Sequence, residues 1–459
     1  MSDLIPERIS RPPIRRQRQL NDEDNNYTPM IIEGLTFNAP LRHDADAIYS
    51  ANGDSVPAFE SEDADGTYLS RFTGQILDAQ ANTIRIEREG ALLEESATNA
   101  LTYSEELDNV AWTPGNLLIV APNAIMAPDG TMTGDTIAED DTAGVEHYIE
   151  YGGLPMASDT SHFASIYARP GINDWIRIHV TTSAGTHYCY FNVVTGEVGQ
   201  KSGTIPQYCY AEKCPCGWYR CVMCFLTGAG LVGNSQLRIN SATADGTVVY
   251  NGARNASFYG WGAQLNTLTD TSYIPTAAAA VNRAAPILAF NTAGHLNTSS
   301  GTIMLAWRAK APPSNDLSAI FEDFTLDGGG NGIAITVNIA GFLTFTVFRN
   351  SAATFSHTIT APAPGEIAVL ALTWDDSNGI AAYVNGKLGL NSPAALTAAD
   401  HNDYFAIGSS LVGLIPVSGN YSHVLIYDRA LGYDEIAGTC HWDYGRWLGE
   451  LGWEPEALT

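Results

Sequence analysis

At 459 residues and 45% hydrophobic content the chain is long enough for two or three cores, since single domains settle near ~100–200 residues. A formal net charge of −27 argues against a nucleic-acid binder, which needs a basic face for phosphate, and suits a soluble exterior protein. With only 16% charged residues beside 43 Gly and 21 Tyr, short strands joined by tight turns are expected and long surface helices are not.

Residues 1–33 are Pro-punctuated and polar, and split into a basic and an acidic block that cannot bury a core. Arg8, Arg11, Arg15, Arg16 and Arg18 give an acidic chain one basic arm. Two readings compete for it: a solvated tail, or an anchor whose guanidinium forks pair carboxylates on a partner. No apolar signal core follows, and no run approaches the roughly 18 apolar residues needed to span a bilayer, so synthesis in a cytoplasm without export and no membrane partner are expected. Residues 34–89 alternate short apolar runs with Asp/Gly turns, as in a small β-rich lead-in.

From 90 to 285 the runs HFASIYARP, WIRIHVTT, HYCYFNVVTGEV, GWYRCVMCFL, SQLRINSAT and SFYGWGAQL are each of strand length and separated by turn residues. In the second of them Ile176, Ile178 and Val180 face one way while Arg177 and His179 face the other, which predicts an antiparallel sheet with one wet face. A second set of strands fills 286–440, and Asn385-Gly386 marks a two-residue hairpin because both residues tolerate positive φ. Residues 441–459 hold Trp442, Trp447 and Trp453 and are expected to pack as an aromatic closure. The expected fold class is all-β: two antiparallel β-sandwich (jelly-roll) domains in series behind an extended N-terminal arm.

Four segments in order, Ala91–Thr113, Ala127–Tyr151, Cys216–Phe225 and Tyr259–Pro286, resemble a carbohydrate-binding-like β-sandwich repeated across tailed-phage head fibres, spikes and decoration proteins. Further on, LALTWDDSNGIAAYVNGKLG (Leu370–Gly389) and SHVLIYDRALGYDEIAGTC (Ser422–Cys440) resemble the laminin-G or concanavalin-A-like lectin fold. The first resemblance implies a virion surface protein made in the host cytoplasm. Its implied partners are capsid, portal or tail proteins, two further copies of itself in a homotrimer, and host-surface glycans. A head fibre or decoration role and a tail adhesin role both follow from it.

Several constellations bear on chemistry. Cys214, Cys216, Cys221 and Cys224 have enough thiolates for tetrahedral zinc, but on a strand Cys221 and Cys224 point to opposite faces, so buried free thiols are the expected state. Cys209 opposite a strand cysteine is the candidate disulfide. Lectin-like folds include glucanases, whose carboxylates alternate along one strand about 5 Å apart. The nearest text, Glu322 to Asp327, has adjacent acids facing opposite ways and reads as a solvated acidic turn. No nucleophile elbow is present, and the Gly-rich stretch 327–332 lacks a following Gly-Lys-Ser/Thr. Asp375, Asp376 and Asn378 offer hard oxygen ligands for calcium, although Asp and Asn also favour such a turn for backbone reasons. Trp175, after the loop RPGIND, is the aromatic most exposed to sugar contact, whereas Trp307 and Trp374 are expected in cores. The sequence thus predicts a non-enzymatic protein with no cofactor.

Overall fold

The computed structural model describes residues 34–40, strand pieces at 49–50, 59–60, 67–69 and 75–78, and residues 85–440 apart from breaks of one to eight residues. The arginine arm with Arg8, Arg11, Arg15, Arg16 and Arg18, and the closing segment 441–459, lie outside the described residues. The fold is all-β and antiparallel, as the turn-rich composition requires, with two sandwiches.

One sandwich packs two six-stranded sheets. The first runs in the order Leu117–Ile125, Gly134–Glu139, Ala256–Thr267, Ser161–Pro170, Tyr219–Leu226, Pro206–Lys213. The second runs Val198–Lys201, Gly185–Asn192, Trp175–Thr182, Ser235–Ala242, Tyr148–Leu154, Trp112–Gly115. Ile176, Ile178 and Val180 enter the core with Ile166, Met223, Phe225, Leu237 and Ile239. Only the second sheet has the wet outer face expected. The first is covered on its outside by Ile76, Trp218, Trp261 and Tyr273, so its central strands are buried on both faces.

The other sandwich surrounds Trp307, Phe321, Phe345, Trp374 and Phe405. Its hairpin between Gly379–Val384 and Lys387–Ser392 turns at Asn385 (φ 52°) and Gly386 (φ 77°), the two positive values the dipeptide predicts. The short helix Tyr433–Thr439 seals one outer face through Ile436 and the following Cys440. Glu435 caps that helix, accepting from the Gly432 amide at 3.0 Å.

The sequential arrangement and the separate lead-in need correction. Leu35–Pro40 pairs antiparallel with Gly419–Tyr427, and Gly90–Leu93 pairs with that same strand. Phe59–Glu60 pairs with Leu288–Asn291 in the opposite sheet. Among the described residues the chain therefore starts in the C-terminal sandwich, leaves it to build the other, and returns: the first sandwich is an insertion in the second. Phe37 is wholly buried in the C-terminal core, and Gly90 (φ +125°) is obligatory because a Cβ there would lie 2.2 Å from the Tyr421 carbonyl oxygen. Period-two alternation reveals a strand's faces but not its partner, and here the partners lie hundreds of residues apart.

Candidate functional site

The wet face of the inserted sandwich carries an ordered lattice of side chains. Cross-strand register lines up Tyr190, Arg177, Asn240 and Tyr148 in one row and Tyr188, His179, Arg238 and Glu150 in the next. Neighbours in such rows stand close enough to interact directly. Trp175, the aromatic singled out in the sequence, begins the strand bearing Arg177 and His179 and packs half-buried beside Tyr188, Tyr190 and Val248.

Each arginine on this face is held from two sides. Arg177 donates to Glu146 at 2.9 Å and to the Asn240 side-chain oxygen at 3.1 Å, with its guanidinium 5.8 Å from the Tyr188 ring centre and 5.9 Å from that of Tyr190. Arg238 donates to Glu150 at 2.5 Å and lies 4.3 Å over the Tyr148 ring. Tyr148 in turn covers Gly115, where a Cβ would come within 2.3 Å of the ring, so the ring lies flat only because position 115 has no side chain. Burial and the two neighbouring arginines push the His179 imidazole down to about 3, which keeps it neutral. The face is electrically balanced, rich in ring surface and supplied with fixed donors and acceptors. Tyr148, Glu150, His179, Tyr188 and Arg238 reach its surface half-buried, while Tyr190, Arg177 and Asn240 are buried beside them. The sequence placed Arg177 and His179 on this face and singled out Trp175 beside them, and the alternation in HYCYFN puts Tyr188 and Tyr190 on the face opposite Cys189 and Phe191.

The two segments that bracket the inserted sandwich, Ala91–Thr113 and Tyr259–Pro286, meet at the junction of the sandwiches. Glu94, at the entry, is buried and accepts from Arg85 at 2.7 Å, from the Ser272 amide at 2.6 Å, from the Ser272 hydroxyl at 2.7 Å, and from Arg283 at the exit. Burial alone would raise the Glu94 pKa, but Arg283 and Arg85 override it and hold the carboxyl far below the usual range. Arg283 also donates to the Glu95 carbonyl at 2.8 Å, and Asn99 clamps the Ala263 and Ile274 carbonyls at 3.1 and 2.9 Å. The C-terminal sandwich joins through Ser418, which accepts from the Glu95 amide at 3.1 Å and lies 3.3 Å from the Thr269 hydroxyl.

The metal candidates are placed as follows. Cys221 faces the inner core and Cys224 the outer side of its sheet, Cys214 packs near Trp218, and Cys216 is exposed in a turn at φ 59°. No cluster of three His, Cys, Asp or Glu side chains capable of holding a metal exists among the described residues. Cys209 registers with Met223, not with a cysteine. Its thiol partner is Cys189 on the opposite sheet, whose pKa is raised by that hydrogen bond and by burial. Asp375 spends one oxygen on the Ser377 and Asn378 amides and the Asn378 side chain, at 2.8, 2.8 and 2.9 Å, closing the turn that also contains Asp376.

The solvated acidic turn at 322–323 is corrected. Glu322 and Asp323 are 2% and 0% exposed, because the strand Ser318–Glu322 carries both into the sandwich. Asp323 accepts from the Ile333 amide and bonds His401, while burial and then Asp323 push the Glu322 carboxyl up to about 8. As expected, Trp307 and Trp374 are core residues.

Residues 282–437, which make up most of the second sandwich, match the model of the concanavalin A-like lectin/glucanases superfamily. No curated protein matches the chain. Among solved structures, similarity is found to botulinum neurotoxin type C, studied for the dependence of its cell entry on two ganglioside molecules, with TM-score 0.28 and 15% identity over 34% of this chain and 40% of that one. The binding domain of botulinum neurotoxin DC in complex with rat synaptotagmin II gives the same TM-score of 0.28 and 15% identity over the same shares, 34% and 40%. The Ruminococcus gnavus IT-sialidase CBM40 bound to alpha2,6 sialyllactose gives 0.25 and 14%, over 31% of this chain and 84% of that one. The match thus spans less than half the length of the toxin chains.

Proposed function

We propose that this chain is a non-catalytic surface subunit of a tailed-phage virion that binds glycans on the wet face of its inserted sandwich. The observation that carries the sugar-binding part is the half-buried group Tyr148, Glu150, His179, Tyr188 and Arg238, held in place by the buried Tyr190, Arg177 and Asn240 beside them. It combines ring surface with fixed polar groups and balanced charge, the composition of a site that fixes orientation through a few placed polar groups. The virion assignment is supported by the four segments that resemble phage fibre, spike and decoration proteins, with the arginine arm as the element that docks on capsid, portal or tail proteins. Assembly as a homotrimer goes with that assignment.

The test has two arms. Glycan-array binding by the full chain should be strong for some surface glycan and fall at least about fivefold in Tyr188→Ala, a loss typical of an aromatic anchor. Array binding that is absent, or unchanged in the variant, removes the site. A tagged copy should purify with particles, and deletion of residues 1–21 should abolish that; unaltered incorporation of the truncated chain removes the anchor. A tail adhesin role is favoured over a head decoration by the same polar-aromatic face, and in that case the full chain should block infection.

A further inference from the structure

The junction leaves a second concavity. Between the sandwiches lies a cleft of about 940 Å³, bounded on one side by the edge strand Pro206–Lys213 and on the other by Arg308, Lys310 and Ile339. Glu94, Arg283 and Ser418 fix the relative placement of its walls through the contacts above, so the cleft is built in rather than opened by a ligand. Its volume lies within the range of small-molecule sites.

The lining has a definite chemistry. Tyr208 and Tyr210, alternate residues on the edge strand, hold their rings parallel within 9° and 6.1 Å apart, and Phe163 abuts Tyr208 edge-on at 5.9 Å. The Tyr210 hydroxyl is fixed by Asp270 and by Arg220 at 3.4 Å, while the Tyr208 hydroxyl is buried with no hydrogen-bond partner among the described residues. Leu226, Leu268 and Ile339 line the cleft at 36%, 47% and 55% exposure, from both sandwiches. Leu268 holds φ at +71°, a conformation that costs a non-glycine residue and concentrates at ligand-contacting sites.

The charges select the ligand. The two cations of the wall are balanced from behind, Lys310 by Glu87 at 3.1 Å and Arg308 by Glu89 at 3.7 Å. Asp159 and Glu212 also line the cleft, so its lining carries two charges of each sign and no net charge. An anionic ligand gains no net attraction there. A neutral polyhydroxyl ligand with an apolar face satisfies the rings, the aliphatic surface and the carboxylate acceptors together.

We infer that the interdomain cleft is a second binding site, separate from the wet face, for a neutral pyranose oligosaccharide. The ligand class rests on the carbohydrate reading above; the location does not. The test is calorimetric titration of the full chain with neutral hexasaccharides of glucose, galactose and xylose, and with sialyllactose as the anionic comparator. Leu268→Gly removes an exposed wall residue and relieves its positive φ, and Ile339→Arg obstructs the cleft from an exposed loop, so neither endangers the fold. At least one neutral sugar should bind and weaken about fivefold or more in both variants while Tyr188→Ala leaves it unchanged. Loss in Tyr188→Ala alone overturns the cleft and leaves the wet face standing. Preference for sialyllactose overturns the charge argument, and no binding by any sugar overturns both sites.

Discussion

The junction and the wet face use the same pair of chemical groups, arginine and carboxylate, for opposite purposes. At the junction Arg283 and Glu94 have fully buried side chains, and every Glu94 contact is internal. On the wet face Arg238 and Glu150 keep 26% and 16% of their side chains exposed, while Arg177 keeps only 8% beside a Glu146 that keeps 30%. A pair withdrawn from water must be completed by further donors or it costs more than it returns, which is why Ser272 adds its amide and hydroxyl to Glu94. A pair near water contributes little to stability and remains available to a ligand. Burial thus separates the charges that hold the architecture from those that meet the outside.

Breaking the junction should produce the largest effect. Arg283→Ala leaves the Glu94 carboxylate short of its main partner in a dry site, and we expect a loss of about 3–5 kcal/mol in urea unfolding. A loss below about 1 kcal/mol would mean that Arg85 alone satisfies Glu94. Next comes the contrast between two buried acids, Glu94 with its cations and Glu322 without one. In the folded chain Glu322 keeps its proton up to about pH 8, while the unfolded chain releases it near the ordinary carboxyl value of 4.5. The native state therefore binds more protons between those limits, and stability falls as pH rises through the window. Glu322→Gln removes that slope. The variant should match the parent below pH 4.5 and exceed it above pH 8 by on the order of 1–3 kcal/mol, read from melts across pH. Glu94 has the opposite sign: its stabilisation is present above the unfolded pKa and is lost only in strong acid, as its depressed folded pKa is approached.

How much of this was legible in the sequence follows from what each feature depends on. The class of fold, the inward set Ile176, Ile178, Val180 and the hairpin at Asn385-Gly386 depend on neighbours in the chain, and short-range pattern reveals them. The division of Cys221 and Cys224 between two faces was legible for the same reason. The wet-face lattice was half legible: alternation gives the face of Tyr188 and Tyr190, but only register places Tyr148 beside Asn240 and Glu150 beside Arg238. The insertion was hidden, because Leu35–Pro40 carries nothing that names Gly419–Tyr427 as its partner. The bracketing segments were recognisable as boundaries, yet their physical basis, one buried carboxylate joining entry to exit, needed the fold.

A smaller effect sharpens the exterior side of the comparison. Arg238→Ala removes an ion pair and a ring contact from a partly exposed site, and the expected cost is about 1 kcal/mol or less. Its glycan binding should nevertheless fall, since the guanidinium fixes the Tyr148 ring that a sugar would meet. A variant that loses several kcal/mol would instead assign Arg238 to the architecture, and the division between inner and outer charges would fail there.

The thiols provide the gentlest test, because nothing is mutated. The same rule of burial separates Cys216, exposed in its turn, from Cys189, Cys214, Cys221, Cys224 and Cys440, all buried. Burial pushes the Cys214 thiol up to about 12 and raises Cys221 and Cys224 further, so these groups stay protonated and inert at neutral pH. The aromatic disulfide dithiobis(nitrobenzoate) should therefore modify Cys216 first in the native chain, releasing its nitrothiobenzoate half, with Cys209, half-buried, following and the rest waiting for unfolding. Prior incubation with zinc should leave the rate at Cys216 and the melting temperature unchanged, because a metal bridging Cys214, Cys216, Cys221 and Cys224 must draw from both faces of one sheet. Protection of Cys216 by zinc, with a rise in melting temperature, would show that the strand Tyr219–Leu226 rearranges to bring Cys221 and Cys224 together.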